Sequence, residues 1–278
     1  MKNGVFKRFC KNKFAVVSAI VMICIALIAL FGPMFCKYSP LDQDLLAKYA
    51  PISAEHWLGT DILGRDLATR LVYGARVSLT IAFCGVFLGA FAGVILGTVA
   101  GYYGGWVDAL IGRIVDILLA FPGMLLAIMV VAIVGTGTYN VIFAIAIFSI
   151  PSMVRIIRGG VLTIRNSEYV QACKVMGESD FTIIFKHIIP NVSSLIIVNV
   201  TLDLGSSILT SSSLSFLGMG VQAPNPEWGA MLSNGREVLR SYPLAVMVPG
   251  IAITIVVLSF SLIGDGLRDA LDPKLKNR

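Results

Sequence analysis

The stretch FAVVSAIVMICIALIALFGPMFC, residues 14–36, decides the fold class: its 23 residues carry no charge and stand between Lys13 and Lys37. The hydrocarbon core of a bilayer takes roughly 20 consecutive apolar residues of helix, so this run is long enough to cross one. A cleavable secretory signal would show a shorter apolar core and an A-x-A-like cleavage site, and neither is present. Nor does Pro33-Met34-Phe35, ahead of Cys36, form a lipoprotein cleavage box. The run is read as a retained anchor helix.

Five more apolar stretches follow, at 77–101, 114–134, 141–153, 192–209 and 244–263. The fourth span is short and extends through Arg155 or Arg158, whose long side chains can snorkel to the interface. Composition agrees: 56% of the 278 residues are hydrophobic and 14% are charged, with mean hydropathy +0.84. A soluble domain of average make-up carries about 25% charged residues. The expectation is an all-α integral membrane protein of about six spans with both termini on one side. With the N-terminus placed in the cytoplasm, fifteen of the 22 Lys and Arg residues fall inside and seven outside. That is the asymmetry that orients membrane proteins. The net charge of +6 therefore reports topology in the cell membrane, not nucleic-acid binding.

No catalytic or metal constellation stands out. Cys10 and Cys173 fall inside, Cys24 and Cys84 within spans, and only Cys36 at the outer edge, so no outer disulfide can form within the chain. There is no C-x-x-C pair, and His56 and His187 fall on opposite sides, too few for a metal cage. No metal site is expected.

The chain divides into a basic arm (1–13), the anchor helix (14–36), an outer loop (37–76), a permeation core (77–265) and an inner tail (266–278). The arm reads as a short amphipathic helix on the inner leaflet. The outer loop reads as irregular, then as an interfacial helix behind a Thr60/Asp61 cap. Its matched charges (Asp61, Arg65, Asp66, Arg70, Arg76) read as a solvated rim that suits docking of a partner. Gly85, Gly89, Gly93, Gly97 and Gly101 recur every four residues in the second span, which opens a groove for another helix backbone. Arg113 and Asp116 read as an interfacial ion pair and Trp228 as an interfacial anchor. The segment 211–242, rich in Ser, Gly and Pro, reads as a piece that re-enters the membrane surface and turns back. Asp203 is the one acid inside a span away from its ends. It either lines a wet pathway or pairs with another subunit, unless the span boundary falls elsewhere.

The inner stretch 155–191 is the most informative. Residues 168–176 place Tyr169, Ala172, Cys173 and Met176 on one helix face, and Gly177 suits the helix end. A short helix with an apolar face and no lipid to cover it is a docking element. Gln171-Ala172-Cys173-x3-Gly177-x9-His187-Ile188-Ile189-Pro190 resembles the E-A-A-x3-G loop of binding-protein-dependent ABC importer permeases, with Gln171 for the motif's Glu and Cys173 for its second Ala. The stretch from His56-Trp57-Leu58-Gly59-Thr60-Asp61 to Arg76-x-Ser78-Leu79 resembles the peptide/nickel branch, as do 101–106, 214–220 and 264–273.

This resemblance implies a type I importer permease that pairs with a second homologous permease. Two ATP-binding subunits would lie below and an extracytoplasmic solute-binding protein above. Gln171, Ala172, Cys173, Gly177, His187 and Pro190 would then belong to the ATPase-coupling loop. The substrates implied are dipeptides or oligopeptides, with nickel or a nickel chelate as the alternative. No G-x4-G-K-[ST] phosphate loop occurs, so ATP and Mg belong to other subunits and this chain is no enzyme. A self-sufficient secondary transporter would instead show internal repeats and several intramembrane charges.

Overall fold

The computed structural model describes residues 2–271, and its regular structure is helical. Short α1 (Lys2–Phe9) leads into α2 (Lys13–Phe31), where the Asn12 side chain accepts from the Ala15 amide at 3.2 Å and caps the helix. After the outer loop come α3 (Leu67–Tyr103), α4 (Gly105–Ala120), α5 (Gly123–Val134) and α6 (Thr138–Arg165). The inner loop holds α7 (Glu168–Val175) and α8 (Asp180–Thr182), and runs through a wide π turn (Ile183–Ile188) into α9 (Ile189–Phe216). A short α10 (Trp228–Gly235) precedes the last helix, α11 (Leu244–Leu271).

α3 and α6 share the largest helix–helix interface, and the glycine repeat forms it. Gly85 lies on Ile145, Gly89 on Ala146 and Ser149, Gly93 on Met153, Gly97 on Ile157 and Gly101 on Val161. Both residue numbers rise together along the seam, so the two helices run parallel. The chain between them must therefore return from one membrane face to the other. α4 and α5 make that return as one broken crossing, bent by 95°. The break sits at Phe121-Pro122, where the residue before proline is pushed into extended backbone (φ −85°, ψ 138°). With this pair the chain crosses six times. Gly266 of α11 lies against Ala15 and Phe9, so both ends of the described chain meet at one face.

Five boundaries differ from the sequence expectation. No separate interfacial helix starts at Thr60/Asp61; Asp66 caps α3 instead, accepting from the Thr69 amide at 2.7 Å, and the helix then runs unbroken through the second span. The span expected at 114–134 is two helices. The fourth and fifth spans extend to Arg165 and back to Ile189. α11 continues through Leu271, and the rest of the 266–278 tail lies outside the described residues.

A methyl group at Gly89 would stand 2.7 Å from the Ala146 carbonyl oxygen and 2.8 Å from Ser149 Cβ, whereas one at Gly112 would meet nothing within 4 Å. Gly89→Val is expected to cost about 1–3 kcal/mol or more by overpacking, and Gly112→Ala to be neutral or slightly stabilising. Thermal unfolding of the detergent-purified chain checks both; an unchanged midpoint for Gly89→Val would refute the seam.

Candidate functional site

In the inner loop part of the surface is covered by its own chain, and part is left exposed among the described residues. Val170, Cys173, Ile183, Ile188 and Val192 are buried together with Met153, Ile157 and Val161 of α6. Tyr169, Ala172, Val175, Met176, Phe181 and Phe185 are exposed. Val175 keeps 88% and Met176 72% of its surface. The apolar face read from the sequence therefore splits: Cys173 turns inward against the chain's own core, while Tyr169, Ala172 and Met176 face out. Phe181 and Phe185, with ring centroids 4.4 Å apart, extend the outward patch.

Local chemistry fixes this shape. Gly177 adopts φ +82°, so the chain folds back over the end of α7 and the Glu178 amide donates to the Cys173 carbonyl at 3.1 Å. Gln171 is exposed and its Nε2 donates to the Arg165 carbonyl at 3.2 Å, tying α7 to the end of α6. Tyr102 at the inner end of α3 donates to Asp180. Pro190 has no N–H for an i−4 bond, and the turn before it widens, with the Ile189 amide reaching back to Ile184 O. His187 sits in that wide turn, its Nε2 3.1 Å from Glu178 Oε2 and 3.7 Å from Cys173 Sγ.

Above the loop, α9 carries a polar line that sequence reading represented only by Asp203. Asn199, Asp203, Ser206, Thr210 and Ser213 repeat at intervals of four and three and so share one face. All five are partly or fully exposed on the isolated chain, and among the described residues Asp203 pairs with no cation. Their hydroxyl and amide groups fall back on the helix backbone, as in the 2.9 Å bond from Thr210 Oγ1 to Ser206 O. The signal was in the sequence as a period of 3.5 in polar residues.

At the outer face the structure corrects the charged rim. Asp61, Arg65, Asp66 and Arg70 are buried. The Asp61 carboxylate accepts from Arg65 Nε at 2.7 Å and lies 3.5 Å from Arg70 Nε, while Arg70 Nη1 also donates to Pro40 O at 2.8 Å. Asp66 pairs with His56 at 3.0 Å. These groups hold the outer loop onto α3, and of the five only Arg76 is exposed. Trp228 is likewise no interfacial anchor: it is 2% exposed, packs on Gly74 and donates from Nε1 to Leu71 O at 3.0 Å. Asp116 pairs with Arg155 at 3.0 Å, not with Arg113, and Arg158 grips Asp108.

Sequence reading passed over Glu227, which is fully buried. It caps α10 by accepting from the Ala230 amide at 2.8 Å and from Ser78 Oγ at 3.1 Å, and so pins the segment between α9 and α11 to α3. Burial pushes its carboxyl above the usual carboxylate range, against the hydrogen bonds that favour the charged form. Its cue was a lone acid between Pro226 and Trp228, directly ahead of α10.

The arrangement is that of a multi-pass helical membrane protein whose loop between α6 and α9 leaves apolar side chains exposed. The family described as "Binding-protein-dependent transport system inner membrane component" matches residues 93–277, and the chain belongs to it. The "N-terminal TM domain of oligopeptide transport permease C" matches residues 3–51. The chain is 48% identical over 272 residues to the dipeptide transport system permease protein DppC of Alkalihalophilus pseudofirmus, covering 98% of this chain and 90% of that one. It is 46% identical over 274 residues to the glutathione transport system permease protein GsiD of Escherichia coli, with the same coverage. Among solved structures the fold matches the MetNI methionine ABC transporter in an inward-facing conformation (TM-score 0.60, 18% identity, covering 73% of this chain and 97% of that chain). It also matches an amino acid ABC transporter (TM-score 0.56, 15% identity, 73% and 95%).

Glu227→Gln keeps an acceptor for the α10 cap and a partner for Ser78, so its unfolding midpoint is expected to stay within error of the native chain or rise. Glu227→Ala leaves the cap amide unpaired and is expected to cost about 1–3 kcal/mol. Equal loss in both variants would mean that the buried charge itself is required.

Proposed function

We propose that this chain forms half of the translocation path of an importer for dipeptides and short peptides, powered by ATP hydrolysis on separate subunits. The observation that carries the reading is the exposed apolar patch on the inner loop, continuous through the π turn with α9. A patch of this kind on a membrane-flanking loop marks a protein partner. A rigid helix attached to it passes on any movement the partner imposes. The substrate class follows from the relatives, whose named cargoes, a dipeptide and glutathione, are both short peptides.

In this reading the two ends of the chain lie in the cytoplasm, where its basic residues concentrate, and the loop around Gln171, Ala172, Cys173, Gly177, His187 and Pro190 meets an ATP-binding subunit. The polar line on α9 is the transport face. Polar side chains at membrane depth are favourable only toward water or protein, so this face looks onto the path or the second permease, and Asp203 offers a charge to a peptide amino group. A solute-binding protein docks on the outer loop, at Arg76 and at exposed apolar residues such as Leu46 and Trp57, because Asp61, Arg65, Asp66 and Arg70 are occupied internally.

Ala172→Asp tests the coupling claim cleanly because Ala172 is solvent-exposed on the isolated chain, where a carboxylate costs little. Buried against a partner it would lack a mate, at about 1–3 kcal/mol or more. The variant is expected to reach the membrane at normal level while ATP-driven peptide uptake falls about tenfold. Normal uptake and normal substrate-stimulated ATP hydrolysis would remove the docking role of this face.

A further inference from the structure

Cys173, Glu178 and His187 bring a thiol, a carboxylate and an imidazole to one point of the inner loop, with their ligand atoms all within 4.8 Å of one another. We propose that these three side chains form a binding site for a divalent transition metal of the Zn2+ class. The sequence offered no metal spacing, since Cys173 and His187 stand fourteen positions apart. Folding joins them through two local devices already described: the left-handed Gly177, which returns Glu178 over the end of α7, and the wide turn ahead of Pro190, which carries His187.

The distances are compatible with a metal as well as with a hydrogen-bonded trio. In a tetrahedral zinc centre, bonds of about 2.3 Å to sulfur and about 2.0–2.2 Å to nitrogen and oxygen set ligand atoms roughly 3.3–3.6 Å apart. The Cys173–His187 and Glu178–His187 edges, 3.7 and 3.1 Å, bracket that spacing. His187 Nε2 carries one hydrogen or one lone pair, so without a metal it serves one of its two neighbours well and the other badly. A divalent cation bonds all three, and thiolate plus carboxylate neutralise its charge. Thiolate and imidazole select zinc-like ions over Mg2+ and Ca2+, which take oxygen ligands. Cys173, 7% exposed, closes the inner side. The His187 and Glu178 side chains keep 23% and 28% of their surface, which leaves an entry route and a fourth position open to water.

Occupancy ties the end of α7 to the turn that starts α9. Resting on the coupling role proposed above, a bound ion then stiffens the loop and slows transport when the metal is abundant.

The test uses the full-length chain co-purified with its ATP-binding partners and titrated with Co2+ as a spectroscopic substitute for Zn2+. The expected result is one Co2+ per chain with a thiolate-to-cobalt charge-transfer band that Zn2+ abolishes. Cys173→Ala, which restores the alanine of the resembled motif, and His187→Gln should each lose the band and weaken binding by at least about tenfold. Unchanged gel-filtration profiles would show that both variants are folded. Absence of the band in the native complex, or its survival in both variants, overturns the site. Zn2+ should also lower substrate-stimulated ATP hydrolysis in the native complex and leave Cys173→Ala unaffected. Equal rates with and without Zn2+ in the native complex overturn the stiffening role. Normal coupling in Ala172→Asp would count against the coupling reading, while the absorption band decides the metal site independently.

Discussion

Near backbone-to-backbone contact between α3 and α6, allowed by five glycines on one line, sets the frame on which everything else in the chain hangs. Lipid tails are as apolar as leucine, so helices in a bilayer gain little from hiding apolar surface from one another and associate through close packing. Glycines four residues apart keep that contact over about 24 Å of helix rise. Because the seam is parallel, it also dictates topology. The segment between its helices must cross back, and α4 and α5 do so with a break at Phe121-Pro122. The inner ends of both seam helices then stand together at the loop that carries α7, with Tyr102 and Arg165 holding it from either side.

The two ends of the bundle use polar groups in opposite ways. At the outer end, Asp61, Arg65, Arg70, Asp66 and Glu227 are buried and paired within the chain. Breaking one such pair strands a charge in a dry site, which is far more costly than a surface ion pair is worth. The outer loop is therefore a fixed cover over α3 and α10. At the other end Tyr169, Ala172 and Met176 of the α7 segment and the Phe181–Phe185 pair stay uncovered among the described residues. One end is paired internally and the other leaves apolar side chains exposed, the contrast on which the proposed docking role rests.

Much of this was legible from residue order. Apolar run length gave six crossings, and the four-residue glycine period marked the helix face that packs. The E-A-A-like loop was legible as a short helix ended by Gly177, since these signals are local and periodic. Other features depend on what lies across space. Asp61 and Arg70 look the same in sequence whether they face water or each other, and only the fold shows them buried. Trp228 reads as an interfacial residue until Gly74 is found beneath it. Cys173 falls on the apolar arc of α7 in a helical projection, yet it lies at the edge of that arc, where the neighbouring π turn covers it. The break at Pro122 was available to sequence reasoning, because a proline and the residue before it interrupt a helix by local sterics. Run length outweighed it.

α7, the π turn and α9 run continuously from the uncovered patch to the polar line that includes Asp203. In the function proposed above, energy enters at the loop and leaves as movement of a transport face. Uptake of a labelled dipeptide into proteoliposomes measures this most directly, using the proposed complex of this chain with a second permease, ATP-binding subunits and a solute-binding protein. The account predicts accumulation only when ATP and the binding protein are supplied on opposite sides of the membrane, with none from either alone. Accumulation without ATP, driven by an ion gradient, would contradict it.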